Sequence, residues 1–367
     1  MKKRIIGIDL LRILSMYMIM TLHTMSNGGG LLYHQVNTIH TQTVMFLTFL
    51  NNIAVDLFAI ISGYVGLTSH HRFSRIVELW LQVIFYSYLI LVAFLILRPQ
   101  YVDKGQLLGS LFPTVSMQYW YFNSYILVFI FMPLLNYGIL KLTYKEFTII
   151  CVSLFIMTSC FGLDIFNDKI FNLGNGFSGM WLIIMYLYGA YIRRFGHRLK
   201  NLSIKFDLIA YLIVALTGVL TCNLMTINHR GYMNGSILYN DWNKWFGYNT
   251  PFAVLGAMFI FLAFLQIEIN NTKARKIIIK LGALSFGTYL LQTNYIVYAW
   301  FRGHYTNFYN HNIFIMVICI FATAMVWYVF GTLVDAIRSF LFKKLNIVDK
   351  VVNLIKFSLR KLNINGY

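Results

Sequence analysis

Apolar residues gather into ten long runs, at about 5–25, 43–67, 76–97, 122–140, 147–163, 178–195, 207–227, 249–268, 280–300 and 312–335. Each has roughly the 17 to 25 residues that a helix needs to cross the hydrocarbon core of a bilayer. A polar backbone inside lipid must satisfy its own hydrogen bonds, and an α-helix does so within one segment. The pattern therefore predicts an all-α integral membrane protein, a bundle of about ten transmembrane helices. Trp80, Trp120, Trp181, Trp245 and Trp300 stand near run ends, where amphipathic rings meet the membrane interface. Pro251 opens the eighth run at a tolerated first-turn position.

The first run departs from this apolar pattern. It carries Asp9, Arg12 and His23, although a charge near a bilayer's middle costs about 2.5 kcal/mol or more. At about 100° per residue, Asp9, Arg12, Met16, Ile19 and His23 fall on one narrow stripe. That face should turn toward protein or a water-filled cavity. Arg12 offers a rigid, permanently charged donor fork for a carboxylate, phosphate or carbonyl. Asp9, one turn earlier, is placed to hold that guanidinium. His23 can take a proton from a hydroxyl and return it. The plainer alternative is a structural Asp–Arg pair, with Arg12 reaching the interface and His23 merely interfacial. The stretch Met1–Arg4 plus an apolar run looks like a leader, but Asp9, Arg12 and the lack of a small-residue cleavage pattern favour a retained span.

Charge placement orients the bundle. Of 367 residues, 11% are charged and 59% hydrophobic, and 30 Lys and Arg oppose 12 Asp and Glu. With the N-terminus inside, 23 of the 30 basic residues fall in cytoplasmic segments and 6 outside, Arg12 lying within a span. The positive-inside rule then places both termini in the cytoplasm and accounts for the net charge of +18 without nucleic acid. Residues 1–335 read as the transmembrane domain. Residues 336–367 read as a basic amphipathic cytoplasmic tail lying on anionic lipid. Long outer loops, about 26–42, 98–121, 228–248 and 301–311, are rich in Asn, Tyr, Trp and Gly. They suit a carbohydrate partner or are ordinary interfacial loops.

Further polar groups interrupt later runs. Asn52 and Asp56 share a helix face in the second, and Asp56 is placed to orient a histidine or pair with an arginine. Ser62 and Gly63 suit close helix packing. Arg72 and Arg75, one turn apart, can grip phosphates or serve as plain positive-inside charge. Trp120 and Tyr121 form an aromatic belt or the wall of a substrate cleft. Ser285 to Asn294 buries several polar side chains, among them Gln292 and Asn294, as helix–helix glue or as substrate contacts. Gly174, Gly176 and Gly179 spell a nucleotide-binding pattern without the preceding strand it needs. The four cysteines lie in apolar runs, and neither they nor the outer-loop histidines have metal-ligand spacing.

In order along the chain, D-x-x-R-x10-H (Asp9, Arg12, His23), V-D-L-F-x-x-x-S-G-Y (Asp56, Ser62, Gly63), R-x-x-R (Arg72, Arg75), Y-W-Y-F…P-L-L-N (Trp120, Tyr121, Pro133, Asn136) and S-F-G-T-Y-L-L (Ser285, Gly287, Tyr289) resemble the acyltransferase 3 family of membrane O-acyltransferases. The resemblance spans nearly the whole chain. It implies an enzyme of the plasma membrane that moves an acyl group, usually acetyl, from cytoplasmic acyl-CoA to a hydroxyl of a cell-surface or lipid-linked glycan. Under it His23 is the catalytic base or acyl relay, Arg12 holds the thioester or carbonyl, and Arg72 and Arg75 hold the coenzyme's phosphates, with no metal. Asp56 orients the imidazole, and Trp120, Tyr121, Gln292 and Asn294 meet the acceptor. Gln292 stands where many members have histidine, and glutamine cannot shuttle protons. The rival expectation is a polysaccharide or acyl-group transporter, a flippase without transferase chemistry. It predicts pseudo-symmetric halves, and no internal repeat is visible.

Overall fold

In a computed structural model of the chain, residues 4–32, 34, 38–69, 71–161, 173–199, 202–228 and 245–361 are described. The expected outer loop 228–248 and the last residues of the tail lie largely outside them. The described residues are helical throughout the apolar runs: α1 (Ile6–His23), α2 (Ile39–Asn51), α3 (Ala54–Gly66), α4 (Phe73–Leu97), α5 (Lys104–Leu111), α6 (Trp120–Lys141), α7 (Tyr144–Phe155), α8 (Gly179–Phe195), α9 (Ile204–Asn228), α10 (Pro251–Leu265), α11 (Thr272–Gln292), α12 (Tyr295–Phe301), α13 (Ile313–Lys344) and α14 (Ile347–Lys361). Six helical stretches among these residues are long and apolar enough to cross a membrane, so the chain is a multi-pass plasma-membrane protein.

Burial separates an inner layer from an outer one. The α1 stretch is 61% buried and the α2–α3 stretch 83%, whereas the α6, α9 and α13 stretches are only 22–28% buried. Accordingly α1 packs against α3, α10, α11 and α13 at once. The side chains of the outer helices that face away are mostly Leu, Ile, Val and Phe, including Leu134, Leu220 and Phe314, as a lipid-facing surface requires.

Close backbone approach sets the α3–α8 crossing. A Cβ on Gly63 would run into the Tyr186 carbonyl, and one on Gly189 would run into that of Ile60. Helices in lipid gain association through such contacts, because lipid tails are as apolar as their side chains. Ser62 lies on the same helix, its Oγ donating to the Phe58 carbonyl at 2.9 Å.

Two expected continuous spans are broken. The second run divides at Asn52 and Ile53 into α2 and α3, and Asn52 Nδ2 donates to the Phe246 carbonyl at 2.8 Å. The ninth run stops at Gln292. Asn294 then restarts the chain as α12, its Oδ1 accepting from the Ile296 N–H at 2.9 Å. A π-turn, Thr24–Gly28, follows α1 directly, and α12 ties it down through Asn27 Nδ2 to the Tyr298 carbonyl at 3.0 Å. All three irregularities lie at one end of the bundle.

The last run extends past its expected end at 335, because α13 continues to Lys344. Arg338, counted by sequence as a tail charge, is 3% exposed. Its Nε and Nη2 donate to the two Asp335 oxygens at 2.5 and 3.1 Å. The Tyr86 hydroxyl donates to Asp335 at 3.0 Å, and the Gln82 amide, turned oxygen-first, accepts from Arg338 at 2.7 Å. A side chain on Gly287 would strike this carboxylate, so the cluster locks α4, α11 and α13 together. Breaking a buried pair by removing one partner costs about 3–5 kcal/mol, whereas replacing both is far cheaper. Arg338→Met should therefore melt well below the parent in detergent, and Asp335→Leu/Arg338→Met should recover most of the loss. Equal melting temperatures for parent and single variant would refute this role.

Candidate functional site

The stripe on α1 connects two cavities. At its N-terminal end a cavity of about 330 Å³ is lined by Arg4, Asp9, Arg12, Tyr64, Arg75 and Arg193. Four guanidiniums against one carboxylate leave a surplus of three positive charges there. Asp9, 1% exposed, is the anchor. Its Oδ1 accepts from Arg12 Nη1 at 2.9 Å and from Arg4 Nη2 at 2.7 Å, and its Oδ2 accepts from Arg4 Nε at 2.7 Å. Arg12 thus spends one nitrogen on Asp9 and turns the rest of its fork to the cavity. Arg193 lies 4.9 Å over the Tyr64 ring and donates to its hydroxyl at 3.2 Å. Such a concentration of planar donors matches a polyanion, phosphate above all.

Three turns along α1, about 16 Å away at 1.5 Å per residue, His23 lines a second cavity of about 300 Å³. Its walls are aromatic, with Trp120, Phe177, Tyr248, Tyr289 and Tyr298, and carry the amides of Asn52 and Gln118. Trp120 stacks on Tyr248 with centroids 6.0 Å apart. Among the described residues lining it, His23 is the sole titratable group other than tyrosine. The two breaks and the π-turn all border this space, through Asn52, Thr293 and Ser26, as irregular backbone at membrane depth does when it lines a cavity.

His23 Nδ1 meets Gln292 Oε1 at 2.8 Å. With the amide so oriented its oxygen accepts from Nδ1–H, leaving Nε2 as the basic nitrogen. The His23 ring meets Tyr298 edge-on at 5.4 Å. Gln292, expected from sequence to meet the acceptor, is instead fully buried behind the imidazole.

Several other placements correct the sequence expectations. Asp56 does not orient His23. It is fully buried, its Oδ1 accepts from Trp181 Nε1 at 2.8 Å, and Oδ2 is without a hydrogen-bond partner. Asn294 cannot meet an acceptor, because it is fully buried, with its oxygen capping α12 and its Nδ2 donating to the Tyr119 hydroxyl at 3.1 Å. Of the two arginines at the head of α4, Arg75 lines the basic cavity, while Arg72 is exposed and outside it. Tyr121 lies between the cavities rather than in the larger aromatic one. Sequence reasoning passed over Arg4 and Arg193, which look like ordinary loop charges, and Tyr248 and Tyr298, which carry no motif.

The model of the acyltransferase 3 family, an acyltransferase domain, matches residues 5–332. The chain belongs to that family and is a membrane acyltransferase, acting on an acyl donor and an acceptor. No curated protein and no solved structure matches it.

The Asp9 anchor is directly testable. Asp9→Asn keeps the shape and removes the charge that two guanidiniums share. A charge-assisted network weakened in this way should lower stability by about 1–3 kcal/mol, read as a lower melting temperature of the detergent-solubilised protein. An unchanged melting curve would show that the arginines hold their places without it.

Proposed function

We propose that this protein is a plasma-membrane O-acyltransferase that moves an acyl group, acetyl by class, from cytoplasmic acyl-CoA to a hydroxyl of a cell-surface or lipid-linked glycan. The observation that carries this is one helix with two ends of different chemistry. Arg12 and its neighbours form an anion site at one end, and a hydrogen-bonded imidazole faces an aromatic cavity at the other. The excess of basic residues on the Arg12 side supports ten spans with both termini in the cytoplasm, and with them an anion site facing the side where acyl-CoA is found.

In this reading Arg4, Arg12, Arg75 and Arg193 receive the phosphates of the coenzyme, and Arg72 is at most a peripheral contact. Trp120 and Tyr248 offer flat apolar faces for a sugar ring, and Asn52 and Gln118 offer amides for its hydroxyls. His23 Nε2 takes the proton of the acceptor hydroxyl as its oxygen attacks the thioester carbon. The carbon–sulfur bond breaks, and the imidazolium returns the proton to the leaving thiolate. Gln292 needs no proton of its own for this. It accepts from Nδ1–H and fixes which nitrogen is basic. Asp56 supports the site from behind, through Trp181.

Mass spectrometry of surface glycans should detect an acetyl-sized mass in cells carrying the parent and none with His23→Ala at matched membrane abundance. Normal acetylation by His23→Ala would overturn the assignment. Gln292→Leu leaves the imidazole N–H buried without an acceptor, a loss of about 1–3 kcal/mol, so transfer should fall roughly tenfold or more. Gln292→Glu, which restores an acceptor, should retain more activity than Gln292→Leu. If the two variants behave alike, Gln292 does not position the ring.

A further inference from the structure

The aromatic cavity runs into a small side chamber at His23. The two share Leu22, His23, Trp120, Tyr248 and Tyr289, and the rest of the chamber is lined by Met16, Ile19, Val55, Phe58, Tyr121 and Phe286. It has a volume of about 40 Å³. Met16 and Ile19 are the apolar members of the stripe that joins Arg12 to His23, so the chamber sits on the line between the two cavities. Its walls are mostly hydrocarbon and aromatic, and among the described residues no Asp, Glu, Lys or Arg lines it.

We infer that this chamber receives the acyl group during transfer, and that Met16, Ile19, Phe58 and Phe286 restrict it to two or three carbons. The inference rests on the acyl-CoA reading above. A water-sized group occupies roughly 10–15 Å³ of such space, so the chamber takes three or four non-hydrogen atoms. An acetyl group has three, a propionyl group four and a butyryl group five. The walls have little freedom to give way. Met16, Ile19 and Val55 are 2%, 6% and 4% exposed, and Phe286 stacks on Tyr289 with centroids 5.9 Å apart. Packed interiors resist added methylenes. In the transfer step the donor's carbon–sulfur bond breaks, the carbon–oxygen bond to the acceptor forms, and the hydroxyl proton passes through His23 Nε2 to the thiolate. The acyl group is therefore the part of the donor that must lie beside the imidazole.

The test uses membranes from the native host, which hold its own envelope glycan, with the full chain or its variants and radiolabelled acetyl-, propionyl-, butyryl- or hexanoyl-CoA. Label transferred to glycan is counted against a His23→Ala background. The parent should transfer acetyl at least about tenfold better than butyryl, the discrimination that one or more surplus methylenes produce against a closed apolar wall. Phe286→Ala should narrow that ratio to about threefold or less, and Phe286→Leu, a milder truncation for the case where the alanine variant does not accumulate, should narrow it partway. The ratio is taken within each protein, so abundance cancels. Equal transfer of acetyl and butyryl by the parent, or a ratio unmoved by either Phe286 variant, would overturn the chamber's role while leaving the acyl-CoA reading intact. Transfer of none of the thioesters by the parent would overturn the acyl-CoA reading and the chamber's role with it.

Discussion

The hydrogen bond between His23 and Gln292 joins the two helices on which the rest of the arrangement depends. α1 and α11 pack along much of their length, and this contact fixes their register at the aromatic end. It also places a ring nitrogen of defined character at the mouth of a cavity. A buried polar group without a partner costs free energy in a medium that cannot replace water. The bond to Gln292 therefore holds the imidazole, because without it the ring N–H would stand unpaired in that medium. Asp9 does at the arginine end what Gln292 does at the histidine end. It is a buried acceptor that fixes the geometry of a donor and leaves the useful face of that donor free.

Two buried acids illustrate different solutions to one problem. Asp335 is enclosed by Arg338 and Tyr86 and is built into the packing of three helices. Asp56 has one oxygen bonded to an indole and the other unpartnered. The first arrangement belongs to the scaffold. The second lies behind the wall of the aromatic cavity, where an incompletely satisfied carboxyl group is tolerated by its surroundings rather than neutralised by a cation.

The helical character and the special status of α1 were legible from sequence, because run length and the cost of Asp9, Arg12 and His23 are local properties. Lateral neighbours were not. Asp56 looked like a partner for His23 because it is the one charged group of its own run, yet the rotation of α3 points it at Trp181. Arg72 and Arg75 look equivalent as a motif, but Arg72 precedes the helix in extended backbone, and only Arg75, in the first turn of α4, reaches the cavity. The breaks at Asn52 and Asn294 carry no proline or glycine signal. They arise from side-chain amides that pair with backbone carbonyls and N–H groups, and hydropathy does not record such bonds. Arg338 shows the same limit in reverse, since a basic residue near a run's end reads as a surface charge until its acidic neighbour is seen to enclose it.

The interruption of α2–α3 and α11–α12 has a consequence for how the protein can diverge. At the arginine cavity the Asp9–Arg12 pair sits in α1, a continuous helix packed against several others, so a change at that pair is felt across the bundle. Around the aromatic cavity the walls include short segments that begin afresh after a break, such as α12 and the π-turn after α1. These segments can shift or exchange side chains without altering the register of the helices below. The chain is thus built to keep one half of its chemistry constant while the other drifts, and lineages that change their surface chemistry would be expected to rewrite the segments beyond the breaks first.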